Sequence, residues 1–90
     1  MGAQVAVRGM PLTGPYCTSK TAVHMLTKTI ALENGNGITC NAILPGIIDT
    51  PANRNQMPDA DHSNWVSPKQ IAIKIEGLLI SAENGSLINL

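Results

Sequence analysis

The chain has 90 residues, no formal net charge and two aromatic side chains, while 43% of its residues are hydrophobic. A chain of this length forms at most one domain, and balanced charge offers no basic surface for a nucleic-acid backbone. No apolar run reaches the ~20 residues of a membrane-spanning helix. The first residues also lack the charged and apolar pattern of a secretory signal. We therefore expect a compact cytoplasmic protein that binds neither nucleic acid nor membrane.

The first third of the chain predicts a strand end, a loop and a long helix. Small and apolar residues alternate before Gly9, which is typical of a strand that runs into a loop. Apolar residues then follow at helical spacing over 15–34, on two sides of the predicted helix. Pro15 suits a helix start, and Asn34 and Gly35 suit its end.

A predicted buried strand and a long connection occupy the middle of the chain. Residues 38–44 are apolar and rich in β-branched side chains, and Pro45 and Gly46 close this run. The stretch 46–66 is rich in Asn, Asp and Pro, and connections of this length in compact domains are usually functional. We expect a substrate lid here, with Trp65 as its apolar anchor.

The last third predicts a helix over 68–81 and a strand over 86–90. Ser67 suits an N-cap, Pro68 the first turn, and Gln70 the reciprocal bond of a capping box. The helix has a single apolar face. Alternation of strands and helices is typical of an α/β fold with a parallel sheet.

One pair of side chains at the start of the first predicted helix suggests catalysis. Tyr16 and Lys20 are four residues apart and therefore lie on one helix face, one turn from each other. An ammonium group at that distance favours the phenolate form of a tyrosine, which suits the phenol for proton transfer. The two cysteines, Cys17 and Cys40, lack metal-ligand spacing. Each falls inside a predicted regular element, so we expect small buried thiols rather than a disulfide.

The surroundings of this pair resemble the C-terminal half of the short-chain dehydrogenase/reductase family. The matching segments are Tyr16-x-x-x-Lys20 with Ser19, Asn41-Ala42-x-x-Pro45-Gly46, and Thr50-Pro51. The resemblance implies the C-terminal portion of a Rossmann-like, doubly wound parallel sheet. It also implies an oxidoreductase that uses NADH or NADPH, with Tyr16 as proton donor or acceptor. Lys20 would support the tyrosine and bind the nicotinamide ribose, while Pro45, Gly46, Ile48 and Thr50 would contact the nicotinamide.

Within the family, the chain resembles the dihydropteridine reductases. The similarity includes Asp49-Thr50-Pro51, Met57-Pro58 and Gly85-Ser86-Leu87-Ile88. Most family members carry a catalytic serine thirteen residues before the tyrosine, where this chain has Ala3. Dihydropteridine reductases lack that serine too, so the resemblance implies a pterin-like substrate, with another small carbonyl compound as the alternative.

The Gly-rich turn that binds the dinucleotide in this family has no counterpart in the sequence. We therefore expect a single partial domain that lacks the dinucleotide-binding half and is inactive on its own. The alternative is a non-catalytic chain that at most associates with full-length subunits. The resemblance implies a homodimer that forms through the Tyr16 helix.

Other polar residues have less specific interpretations. A metal site at Asp59, Asp61 and His62 is the weaker hypothesis, because adjacent polar residues in a lid more often cap a turn or face solvent. Arg54 suits a surface position better than a contact with substrate or a cofactor phosphate. His24 suits a packed helix position better than a role in the site.

Overall fold

The computed structural model describes all 90 residues and contains six regular elements. In chain order these are α1 (Val5–Arg8), α2 (Gly14–Glu33), β1 (Ala42–Leu44), α3 (Pro51–Gln56), α4 (Pro68–Leu79) and β2 (Leu87–Asn89). The two strands pair in parallel, with Ala42 opposite Leu87 and Leu44 opposite Asn89. Parallel neighbours require a long crossover, which the segment containing α3 and α4 supplies. The expected α/β architecture with a parallel sheet is confirmed.

The expectation of a strand end followed by a loop is wrong for residues 5–8, which form the helix α1. Only the residues before α1 run beside the sheet, where the N–H of Gly2 donates to the carbonyl of Ile43 at 2.9 Å. Three small or apolar residues before Arg8 are compatible with one helical turn as well as with a strand, so periodicity cannot separate the two.

Strand β1 is shorter than the predicted run of 38–44. The backbone N–H of Cys40 donates to the side-chain oxygen of Asn84 at 2.9 Å, and Asn41 also bonds through its side chain. Regular pairing with β2 begins only at Ala42, whose N–H donates to the carbonyl of Ser86. The residues before β1 therefore face a turn rather than a neighbouring strand.

The ends of the helices follow from local chemistry. Helix α2 has Pro15 in its first turn and Asn34 at its C-cap. Helix α4 begins with a complete capping box: the N–H of Gln70 donates to Ser67 Oγ, and Ser67 N–H donates to the Gln70 side chain. The capping box predicted from the sequence is confirmed.

The connection between β1 and α4 is closed at its base by one parallel bridge, Ile48 to Val66. The N–H of Val66 donates to the carbonyl of Ile47 at 2.9 Å, and the N–H of Asp49 donates to the carbonyl of Val66 at 2.7 Å. Val66 is buried, whereas Trp65 is only half-buried and packs against His62 with the rings tilted by 48° and their centroids 4.2 Å apart. The apolar anchor of this connection is thus Val66 rather than Trp65.

Few residues form a core, since 11 of 90 are buried. Leu44, at 1% exposure, is the most deeply buried large side chain. Broad apolar faces remain open on the two long helices, including Leu26 and Leu32 on α2 and Leu79 on α4. No helix combines the length and the apolar character needed to cross a membrane.

Candidate active site

A cavity of about 400 Å³ lies where strand β1 ends. Ligand sites of open α/β sheets form at the carboxyl ends of the strands, so this position is typical of the fold. The cavity brings together three sequence-predicted site residues, Tyr16, Pro45 and Gly46, with Ala3. The remaining lining residues are Gln4, Val5, Arg8, Met10 and Ile47.

Tyr16 stands in the first turn of α2, and half of its side chain is exposed to the cavity and solvent. Lys20 lies one turn later, with its Nζ 5.9 Å from the centre of the Tyr16 ring. The same Nζ donates to the carbonyl of Met1 at 3.4 Å. A cation this close to an aromatic ring interacts favourably with it. The Tyr16–Lys20 pair is therefore assembled on one helix face.

Helix α1 forms a wall of the cavity because α2 holds it in place. Thr21 Oγ1 lies 2.7 Å from the carbonyl of Cys17 and 3.1 Å from the carbonyl of Ala6, so its one proton is shared between them. Cys17 Sγ lies 3.7 Å from the carbonyl of Val5. Cys17 and Cys40 are both free thiols, but each is half-buried rather than buried as expected. These contacts fix α1 beside the Tyr16 side chain.

The other predicted nicotinamide contacts lie just beyond this cavity. Ile48 and Thr50 are half-buried and do not line it. Thr50 caps α3, since its Oγ1 accepts from Asn53 N–H at 3.2 Å. The Asn53 side chain in turn donates to the carbonyl of Ile48 at 2.8 Å. The segment that follows Gly46 is thus held in a defined backbone geometry.

Arg54 and Asp49 form a two-pronged ion pair, with Nε to Oδ1 at 2.6 Å and Nη2 to Oδ2 at 2.9 Å. The hydrogen bonds from Arg54 lower the pKa of the Asp49 carboxyl below its ordinary 3.8, and the Arg54 charge acts in the same direction. The pair lies at the surface, as expected for Arg54, and restrains the start of α3.

Two of the three polar residues of the weaker metal hypothesis, Asp61 and His62, form hydrogen bonds within the protein. Asp61 Oδ1 accepts from Ser63 N–H at 2.9 Å, which lowers the pKa of that carboxyl. His62 Nε2 lies 2.9 Å from the carbonyl of Met57. No group of three or more His, Cys, Asp or Glu side chains is placed to hold a metal ion.

Sequence reasoning missed Gln4 and Arg8 among the residues that line the cavity. Gln4 also donates from Nε2 to the carbonyl of Leu90 at 3.0 Å, so it joins the cavity wall to the end of β2. The contact spans 86 positions in sequence, and no local pattern marks it. Arg8 became a lining residue only because α1 is a helix.

Comparison with known proteins identifies the family. Residues 1–78 match a family model described as enoyl-(acyl carrier protein) reductase. A dihydropteridine reductase of Dictyostelium discoideum is 34% identical over 97% of this chain. A solved structure described as a short chain dehydrogenase/reductase family protein is 31% identical over 99% of the chain, with a TM-score of 0.85. The chain belongs to the short-chain dehydrogenase/reductase family.

The family resemblance and the Rossmann-like fold class are both confirmed by these similarities. The chain spans about two fifths of the proteins that it matches, 41% of the Dictyostelium reductase and 41% of the solved structure. A further family structure, 4-hydroxyisoleucine dehydrogenase complexed with NADH, is 29% identical with a TM-score of 0.80. The match covers 99% of this chain and 41% of the dehydrogenase.

Proposed function

We propose that this chain is the catalytic part of an NAD(P)H-dependent reductase that converts quinonoid dihydropteridine to tetrahydropteridine. The observation that carries the proposal is the cavity that Tyr16 lines together with Ala3 and the Pro45–Gly46 bend. Similarity to the Dictyostelium dihydropteridine reductase over nearly the whole chain supports the same substrate.

The donors beside the cavity fit a nicotinamide nucleoside. The Lys20 ammonium has three protons, and the Met1 carbonyl accepts one of them, which leaves others for ribose hydroxyls. The Thr50 hydroxyl accepts from Asn53 and keeps its own proton for a carboxamide oxygen. When bound, the reduced nicotinamide supplies a hydride. Gly46, which has no side chain, allows close approach to the backbone.

Tyr16 handles the proton in this proposal. Its hydroxyl donates a proton to the substrate nitrogen as the ring system is reduced, and the phenolate that remains is stabilised by the nearby Lys20 charge. Bulk solvent then reprotonates the oxygen, since half of the Tyr16 side chain is exposed. A positioned proton donor of this kind contributes typically 10²–10⁴-fold to a rate.

Ala3 favours a pterin over a simple ketone. Ala3 is 6% exposed and places a methyl group where most of the family has a serine hydroxyl. A ketone gains much from such a donor, because negative charge develops on its oxygen during reduction. A quinonoid dihydropteridine needs it less, since its ring is electron-poor and regains aromatic delocalisation on reduction.

A homodimer through α2 is part of the proposal. The side chains of Met25, Leu26 and Leu32 are 61%, 59% and 89% exposed on this helix. Burial of such side chains against a second copy is favourable at roughly 25 cal/mol per Å² of apolar surface.

The experiment is a hybrid reductase in which residues 1–90 replace the matching part of the Dictyostelium enzyme. We expect it to oxidise NADH or NADPH in the presence of a quinonoid dihydropterin, and to do so faster than with a ketone. The same measurements on the 90-residue chain alone test the non-catalytic alternative. A hybrid reductase that folds and binds NADH but reduces only ketones would contradict the proposed substrate. Micromolar NADH binding by the 90-residue chain would show that no further segment is needed for cofactor binding.

A further inference from the structure

His24 is a buried titratable residue that the proposed reaction does not use. It lies nearly three turns into α2 and is 6% exposed. Its Nε2 accepts a hydrogen bond from the backbone N–H of Ala3 at 3.1 Å, a contact between residues 21 positions apart. The imidazole therefore connects the helix that carries Tyr16 to Ala3, another residue that lines the cavity.

The contact requires one form of the ring. A nitrogen that accepts a hydrogen bond carries no proton, so the Nε2 lone pair faces Ala3 and the proton of the neutral ring is on Nδ1. Gly2 makes room for this ring, because a Cβ at that position would overlap Nε2 and Cδ2 of His24. The same Cβ would come within 3.1 Å of Leu44 Cδ1. Gly2 and His24 thus form a fitted pair.

Residues 2 and 3 are held from two sides. On one side the N–H of Gly2 donates to Ile43 in β1 at 2.9 Å, and on the other the N–H of Ala3 donates to His24. Ala3 and the next residue, Gln4, line the cavity. We propose that His24 is a positioning residue, which sets the distance between the Ala3 wall and the Tyr16 hydroxyl. The effect of this positioning on kcat rests on the proposed function.

Burial alone does not give His24 this role, as a second buried polar residue of α2 shows. Thr27 is 5% exposed, and its Oγ1 donates to the carbonyl of Val23 within the same helix. That bond crosses to no other element, whereas the His24 bond does. Thr27→Val is therefore a matched control for loss of a buried polar group on α2.

The kinetic test compares His24→Leu, His24→Gln and Thr27→Val in the hybrid reductase. Loss of the acceptor in His24→Leu displaces the wall and is expected to lower kcat roughly tenfold to a hundredfold, with the KM for NADH changed less than about twofold. The Gln side chain places an oxygen acceptor near the position of Nε2, so His24→Gln is expected to recover most of kcat. Thr27→Val is expected to keep kcat. Equal loss in the Leu and Gln variants, or no loss in either, would overturn the proposal.

A second measurement does not depend on any substrate. Amide hydrogen exchange at Ala3 in the 90-residue chain is expected to be slow in the wild type and His24→Gln, and at least about tenfold faster in His24→Leu. Exchange at Ala3 that is fast in the wild type, or that is unchanged in His24→Leu, would show that the bond does not hold this backbone. A hybrid reductase without dihydropteridine activity but with this exchange pattern would refute the proposed function and leave the positioning contact standing.

Discussion

Truncation of Leu44 to alanine measures how much of this fold depends on its small core. Leu44 is 1% exposed in β1, directly before the Pro45–Gly46 bend of the cavity. The change removes three carbons, which is worth about 2.4 kcal/mol at roughly 0.8 kcal/mol per buried methylene. The cavity left behind adds to this loss. We expect Leu44→Ala to lower the free energy of unfolding by about 3 kcal/mol.

Urea unfolding of the 90-residue chain, followed by circular dichroism, provides the assay. Leu79→Ala is the matched control, because the same atoms are removed from a side chain that is 79% exposed. Its expected effect is within about 0.5 kcal/mol. Leu44→Met, which nearly conserves volume, is expected to cost less than about 1.5 kcal/mol. Equal losses in Leu44→Ala and Leu79→Ala would refute the assignment of the core to β1.

Three further predictions concern a helix cap, an ion pair and the residue at position 3. Ser67→Ala removes the capping box of α4 and should lower the free energy of unfolding by about 1 kcal/mol, measured in urea; an unchanged value would show that the cap contributes nothing. The Asp49 carboxyl should titrate below 3.8 by NMR and move back toward 3.8 in Arg54→Gln. Because folding lowers the pKa of Asp49, the pair contributes fully to the free energy of unfolding above pH 3.8, and this contribution disappears as the pH falls through the lowered pKa. An Asp49 titration midpoint that Arg54→Gln leaves unchanged would contradict the pairing. Ala3→Ser in the hybrid reductase should raise kcat for a ketone roughly tenfold and leave dihydropteridine reduction within about threefold, and no gain with the ketone would contradict the role given to Ala3.

Local signals in the sequence were sufficient for the features that depend on neighbouring residues. Pro15 and the apolar spacing after it mark α2, and the spacing of Ser67 and Gln70 marks the capping box. The Tyr16–Lys20 pair is a consequence of helical periodicity alone. Its association with Pro45 was implied only by the family resemblance, and both Tyr16 and Pro45 line the cavity at the end of β1.

Features that depend on distant contacts were not predictable. Helix α1 is a single turn, and it contacts Cys17 and Thr21 of α2, which its own sequence pattern does not indicate. Strand β1 is short because Cys40 meets the side chain of Asn84 instead of a strand. The bond between His24 and Ala3 likewise joins residues with no periodic relation. In each case a tertiary partner determines the outcome.

The central claim is that reduction takes place in the cavity between Tyr16, Ala3 and the Pro45–Gly46 bend, with the Tyr16 hydroxyl as proton donor. The most direct test is steady-state dihydropterin reduction by the hybrid reductase and its Tyr16→Phe variant. The substitution keeps the ring and removes only the oxygen. We predict a fall in kcat of roughly 10²–10⁴-fold with a nearly unchanged KM for NADH. An unchanged kcat in Tyr16→Phe would contradict the claim.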